Sequence, residues 1–299
     1  MSDEAIFKAI AKAGSEFDKY NSQSTKEVMS LLNGARREVI DALTNTKSDY
    51  TRYVNSGIKT EIELSIGKLN ENLKRRQAGF LESSWELGIE QVDSPFRVLG
   101  VAGGFDSFKL DETILLKLKD FSATLITNLS AETLPKIDTA IKVGLLKGES
   151  VINIARGIGT NLKDPSIFKS VAERAIVIAQ TEMNRVYNTA TNDRYKMVQG
   201  YVPGLKKMWS NAGDSNVRPS HQRLNGQVTD VGKKFYDSLT GISIDRPGDP
   251  EAPASFTVRC RCRSIPFKEN WDIKWDKHGY KPYMQSKGKE KVLIFNGKK

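Results

Sequence analysis

Cysteine and histidine are scarce in this 299-residue chain, two of each, and the cysteines stand one residue apart at Cys260 and Cys262. A bond between residues so close in sequence would be strained, so a fold stapled by disulfides is excluded, and a reducing compartment would keep both as thiols. Long apolar runs are missing too. None approaches the ~20 residues that cross a bilayer, which predicts no membrane helix. The first residues, Met1-Ser2-Asp3-Glu4, are acidic and are followed by apolar residues alternating with Lys8 and Lys12, a pattern unlike a secretory leader. These absences predict a soluble protein made in the cytoplasm. Catalytic signatures are also lacking: there is no HExxH, Walker or Ser-His-Asp elbow motif. The glycines at Gly100, Gly103 and Gly104 have no Lys-Ser or Lys-Thr pair behind them, and Gly157-Ile158-Gly159 has no strand before it. Neither cluster is a nucleotide loop.

Positive charge, by contrast, is plentiful. A net charge of +10 and a pI near 9.4 create a field that attracts polyanions and bears on partners rather than on fold. The last segment, from Lys268, holds nine lysines against four acids together with Trp271, Trp275, Tyr280, Tyr283 and Phe295. Aromatics among cations stack on bases or anchor a tail on another subunit. The run Val292-Leu293-Ile294-Phe295 reads as a strand that needs an apolar partner, which favours docking.

Helical periodicity dominates the first 200 residues. Ser24-Thr25-Lys26-Glu27 has capping-box spacing, which predicts a helix start. Behind it Val28, Leu31, Leu32, Ala35, Val39 and Leu43 form one apolar face. A second face runs through Ile58, Ile62, Ile66, Leu69 and Leu73 toward Lys74-Arg75-Arg76, where basic residues complement a helix dipole. Asp93-Ser94-Pro95 is expected to break the helix that follows, and Ser130-Ala131-Glu132 to separate two more. A short helix after Ser150 is expected to end at the glycines of 157–159. Asp164-Pro165 has the composition of an N-cap and first helical residue. The helix it predicts sets Ala172, Ala175, Ile176, Ala179, Met183, Val186, Tyr187 and Ala190 on one arc, with Glu182 at its edge.

Beyond Gly200 the composition changes. Gly, Pro, Asp and Asn become frequent, and short β-prone runs such as Lys207-Met208-Trp209 and Ser255-Phe256-Thr257-Val258 alternate with turn signals at Asn225-Gly226 and Arg246-Pro247-Gly248-Asp249-Pro250. Four regions are expected: a helical one over 1–105, a second helical one over 106–200 that ends in the long helix, a small α+β module over 201–267, and a basic aromatic tail over 268–299. The fold class expected is α+β, mainly helical first and with a small α+β module last.

The residues best suited to chemistry fall in that module. His221, Cys260 and Cys262 offer the imidazole and thiolates that zinc favours, and Asp214 or Asp249 can supply a fourth ligand. The competing reading sets the two cysteines on one face of a strand as small buried hydrophobes, with Arg259, Arg261 and Arg263 on the other. That arginine row suits phosphate, as do Lys287, Lys289 and Lys291 in the tail. It equally suits ion pairs with nearby acids. Glu182, Asp214, Arg218, His221 and Asp249 are expected to act as a structural polar network rather than as an acid-base site, because one histidine among scattered acids does not define a reaction.

The ordered set Gln180-Thr181-Glu182-Met183-Asn184, Lys207-Met208-Trp209, Asp214, Val217-Arg218-Pro219-Ser220-His221, Leu224-Asn225-Gly226-Gln227, Arg246-Pro247-Gly248-Asp249-Pro250 and Cys260-Arg261-Cys262-Arg263 resembles the C-terminal domain of the phage Mu F-like minor head, or head morphogenesis, proteins. The resemblance covers about residues 130–267. The family's usual Arg-Thr-Glu reads Gln180-Thr181-Glu182 here, and the first half of the chain matches no motif. The resemblance implies a structural virion protein without enzymatic activity, incorporated during procapsid assembly in the host cytoplasm and located in the head interior or at the portal vertex. It also implies contact with portal, capsid or scaffolding protein and with double-stranded DNA, without sequence preference. Domains of this kind are also found fused to effectors, so a nuclease-like or ADP-ribosyltransferase-like module is the alternative that the resemblance leaves open.

Overall fold

The computed structural model describes residues 3–44, 57–101, 105, 111–269, 271, 282–287 and 290–295. The fold is α+β, helical first and stranded last. Its helices are α1 (Asp3–Thr44), α2 (Ile58–Val98), α3 (Glu112–Leu146), α4 (Val151–Ile158) and α5 (Ile167–Val198), followed by two short ones, α6 (Pro219–Leu224) and α7 (Ala254–Thr257). The strands are β1 (Lys206–Ser210), β2 (Val228–Asp230), β3 (Phe235–Asp237), β4 (Ile242–Ile244), β5 (Arg263–Phe267), β6 (Pro282–Lys287) and β7 (Glu290–Phe295). None of the described helices is long and apolar enough to cross a membrane.

Several helices run through the breaks expected from local signals. Ser24 is not a cap: it is buried in the middle of α1, where Thr25 Oγ1 bonds back to the Asn21 carbonyl as in an uninterrupted helix. The apolar spacing of Ile6, Ile10, Ala13 and Phe17 upstream explains why, since it gives the earlier turns a buried face of their own. α2 continues past Asp93-Ser94-Pro95 to Val98, and α3 passes through both Ser130-Ala131-Glu132 and Pro135. A proline inside a helix forfeits one hydrogen bond. Val92 and Phe96 around Pro95, and Leu129, Thr133, Ile137 and Ile141 around Pro135, are all buried, so side-chain packing outweighs the lost bond. α5 starts after Asp164-Pro165, and its first-turn cap is Ser166, whose hydroxyl accepts from the Lys169 amide. α4 behaves as expected, with Ser150 as N-cap and Gly159 at φ 128 as C-cap.

The chain forms two compact units, each assembled from separated segments: residues 1–20, 81–115 and 181–299 in one, and 21–80 and 116–180 in the other. In the second unit the predicted faces are buried at Val28, Leu32, Ala35, Val39 and Leu43 on α1 and at Ile58, Ile62, Ile66, Leu69 and Leu73 on α2, while Leu31 is half-buried. In the first unit β1 is the centre of an antiparallel sheet of order β2-β1-β5, with Met208 opposite Val228 on one side and Ile265 on the other. β3 and β4 form a second ribbon, and β6 and β7 a third in which Tyr283 pairs with Ile294 and Met284 with Leu293. The apolar face of the first sheet joins Ile6, Phe7 and Ile10 of α1, Val92 and Phe96 of α2, and Tyr195 and Val198 of α5 in one core.

Helix α5 departs most from its predicted amphipathicity. Thr181, Glu182, Asn184, Asn188, Thr189, Thr191, Asn192 and Arg194 are buried along with the apolar arc. A helix buried on nearly all sides must satisfy its polar groups internally. Arg194 does so through a forked pair with Asp93, at 2.8 and 2.7 Å, and a bond to the Phe105 carbonyl. Gly88 of α2 lies directly on the Tyr187 backbone, and the Thr191 hydroxyl bonds to the Gly88 carbonyl.

Candidate metal centre

Two local devices bring His221 to the cysteines. Pro219 in the first turn of α6 fixes the start of a helix only six residues long, which presents His221 to the core. The chain then returns through α7, where a strand had been expected from Ser255-Phe256-Thr257-Val258. Pro253 precedes this turn, and Phe256 and Thr257 are buried by it, so packing overrides β propensity. Arg259 then takes a positive φ of 55°, and its amide donates to the Thr181 hydroxyl. Cys260 and Cys262 follow, just ahead of β5 rather than on it.

The Nδ1 of His221 lies 3.7 Å from the Cys260 sulfur and 3.3 Å from the Cys262 sulfur. All three ligand atoms are within 4.8 Å of one another, and each residue is 3% exposed or less. Aromatic rings wall the cluster: Trp209 and Phe256 each stand 5.4 Å from the imidazole, and Phe235 packs edge-on against Trp209. The thiols titrate as a pair. Hydrogen bonds from Cys262 and His221 hold the Cys260 thiol well below its usual range, while burial and the neighbouring sulfur push Cys262 well above. Two buried sulfurs beside one imidazole lack the positive charge that would hold both as thiolates.

A divalent ion would supply that charge. With zinc bonds of about 2.3 Å to sulfur and 2.0–2.1 Å to nitrogen, tetrahedral geometry separates N and S by about 3.5 Å, and the two observed distances bracket this value. The donor set is soft and matches zinc or another thiophilic ion. The His221 Nε2 is buried with no hydrogen-bond partner among the described residues, so the imidazole is fixed by packing and by its Nδ1 contacts.

The other candidate residues occupy separate places. Asp214 stands apart from the cluster, forked to Arg261 at 2.5 and 2.7 Å with its carboxyl held below the usual range by that guanidinium. Arg218 bonds to the Val258 carbonyl, and Glu182 to Arg185 at 2.9 Å. Asp249 accepts the amides of Asp245 and Glu251 and so shapes the turn at 246–250, where Gly248 has φ 75. These residues make local bonds rather than one shared network. The arginine row divides likewise: Arg259 is exposed, Arg261 pairs with Asp214, and Arg263 pairs with Asp18 of α1. Lys287 and Lys291 lie on β6 and β7, and Lys289 lies outside the described residues, as do Trp275 and Tyr280.

A second buried polar centre went unread in the sequence. Lys207, fully buried, donates to Asn192 and to both the carbonyl and the carboxylate of Asp245, at 2.7 to 3.2 Å. Asn192 and Arg246 also bond to that carboxylate. Burial draws Lys207 below its ordinary pKa. For Asp245 burial is outweighed by Lys207 and Arg246, which hold it below its own. Strand alternation carried a signal for this, because Lys207 shares a face with the fully buried Trp209.

Residues 135–265 match the family described as Phage Mu protein F like protein. Over that span the chain is similar to the Mu F-like family. The Mu F-like segment contains α4 to α7 and every member of the sulfur-imidazole cluster. An uncharacterized protein of Haemophilus influenzae is 26% identical over 147 residues, which is 49% of this chain and 28% of that protein. The chain thus spans less than a third of that relative's length. The minor head protein GP7 of Bacillus phage SPP1 is 22% identical over 275 residues, or 88% of this chain and 84% of that one. No solved structure matches the chain.

Proposed function

We propose that this chain is a phage minor head protein acting in head morphogenesis, with its Mu F-like segment folded around one zinc ion held by His221, Cys260 and Cys262. The observation that carries the head assignment is the similarity to a minor head protein along most of both chains. The sealed position of the cluster supports a structural rather than catalytic metal, since a substrate has no route to ligands this deeply buried. When bound, zinc supplies the charge that makes both thiolates stable and joins α6 to the start of β5. This reading places the protein in the virion, at the head interior or portal vertex, in contact with portal, capsid or scaffolding protein.

The positive net charge supports a further contact with double-stranded DNA, driven by phosphate neutralisation and indifferent to sequence. Arg259, which is exposed, and Lys287, Lys289 and Lys291 are the residues assigned to it, because Arg261 and Arg263 already have carboxylate partners. Mass spectrometry of purified particles from the phage that encodes the chain tests the head assignment: a few copies per particle are expected, and particles assembled normally without it overturn the assignment. Native mass spectrometry tests the metal, with one zinc per chain expected and its loss expected in Cys260→Ser and Cys262→Ser. DNA affinity should fall steeply with salt; affinity unchanged at high salt overturns the DNA contact.

A further inference from the structure

The backbone around Cys262 is gripped from one side and extended from the other. Asn188 of α5, fully buried, donates through Nδ2 to the Cys262 carbonyl at 3.2 Å and accepts at Oδ1 from the Ser264 amide at 3.1 Å. One side chain thus reads two peptide groups as a neighbouring strand would. Its own placement is fixed by a further bond to the Asn184 carbonyl, at 2.9 Å. The residue between those peptide groups, Arg263, lies over Gly14 of α1 and pairs with Asp18 one turn on. A Cβ at Gly14 would collide with the guanidinium, so the arginine occupies the space that a side chain would fill. Beside it, Phe17 of α1 stacks on Tyr187 of α5 at 4.1 Å.

Resting on the zinc reading, we propose that Asn188 and Arg263 are positioning residues of the metal centre, and that the tripeptide Cys262-Arg263-Ser264 couples metal occupancy to docking of residues 3–20 of α1. Asn188 sets the Cys262 sulfur by fixing the peptides on either side of Arg263. Outer residues of this kind commonly alter metal affinity by about 10–100-fold. Arg263 transmits the same constraint to α1. Coupling is reciprocal: if metal favours the docked helix, the docked helix favours metal by the same factor.

The test uses the full chain. Zinc affinity is measured by competition with a chromophoric chelator for wild type, Asn188→Ala, Arg263→Ala and a control, Arg76→Ala, at an exposed residue that pairs with Glu27 on the surface. Hydrogen exchange of residues 3–20 and 21–44 is followed in zinc-loaded and zinc-stripped wild type. We expect a tenfold or greater loss for Asn188→Ala, about threefold for Arg263→Ala and none for Arg76→Ala, with faster exchange on stripping confined to residues 3–20. If Asn188→Ala fails to fold, Arg263→Ala and the wild-type exchange decide. A wild type that takes up no zinc overturns the metal reading and the coupling with it. Zinc bound as tightly by Arg263→Ala, or exchange in residues 3–20 indifferent to stripping, overturns the coupling alone.

Discussion

Replacing Glu182 with glutamine should stabilise the protein, and by an amount that depends on pH. Glu182 is 2% exposed and pairs with Arg185, and burial outweighs that cation to raise its carboxyl from an ordinary value of 4.5 to about 7. A folded-state pKa above the unfolded one means that the folded protein holds the proton more tightly. The penalty for ionising Glu182 is therefore absent below pH 4.5 and grows as pH rises through 7. Linkage puts it at about 1 kcal/mol at pH 5 and about 3 kcal/mol at pH 8. Glutamine keeps an acceptor for Arg185 and carries no such penalty. Urea unfolding of wild type and Glu182→Gln at pH 5 and pH 8, at matched zinc, reads the difference between them. The variant's advantage should widen by about 2 kcal/mol between the two pH values. An advantage that is equal at both, or a less stable variant at pH 8, refutes the argument.

Asp93→Ala should cost about 3–5 kcal/mol, because it removes the forked carboxylate partner of the buried Arg194 guanidinium; a loss under 1 kcal/mol in urea unfolding would show that water reaches the pair. Two glycines of α2 should respond with opposite signs. A Cβ at Gly67 meets nothing within 4 Å, so Gly67→Ala should stabilise by up to about 1 kcal/mol through helix propensity. At Gly88 the Cβ would strike the Tyr187 carbonyl and Ala190, so Gly88→Ala should destabilise by about 1–3 kcal/mol. Thermal melts that move in the same direction for both would overturn the close helix approach.

Much of the fold was legible because burial on one face leaves a period in the sequence. The faces on α1 and α2, the glycine cap of α4, the turns at Gly226 and Gly248 and the burial of Trp209 all follow from local pattern. Local signals misled where packing on both sides outweighed them: at Ser24 in α1, at Pro95 in α2, at Ser130-Ala131-Glu132 in α3 and at the α7 turn. Each break would have cost buried apolar area for the sake of one backbone bond. The buried polar residues of α5 left no periodic trace, because asparagine and threonine look alike whether they face water or the Cys262 and Gly88 carbonyls.

By itself the sequence determined the α+β class, the helical faces and a short set of candidate metal ligands, His221, Cys260 and Cys262 with Asp214 or Asp249, since these depend on residue type and short-range spacing. Only tertiary structure decided that His221 meets Cys260 and Cys262 across 39 and 41 residues of chain while Asp214, seven residues before the histidine, is turned away to Arg261. The physical reason is that ligand proximity depends on how α6, α7 and the start of β5 pack around Trp209 and Phe256. That packing depends on contacts far apart in the chain, which no local spacing records.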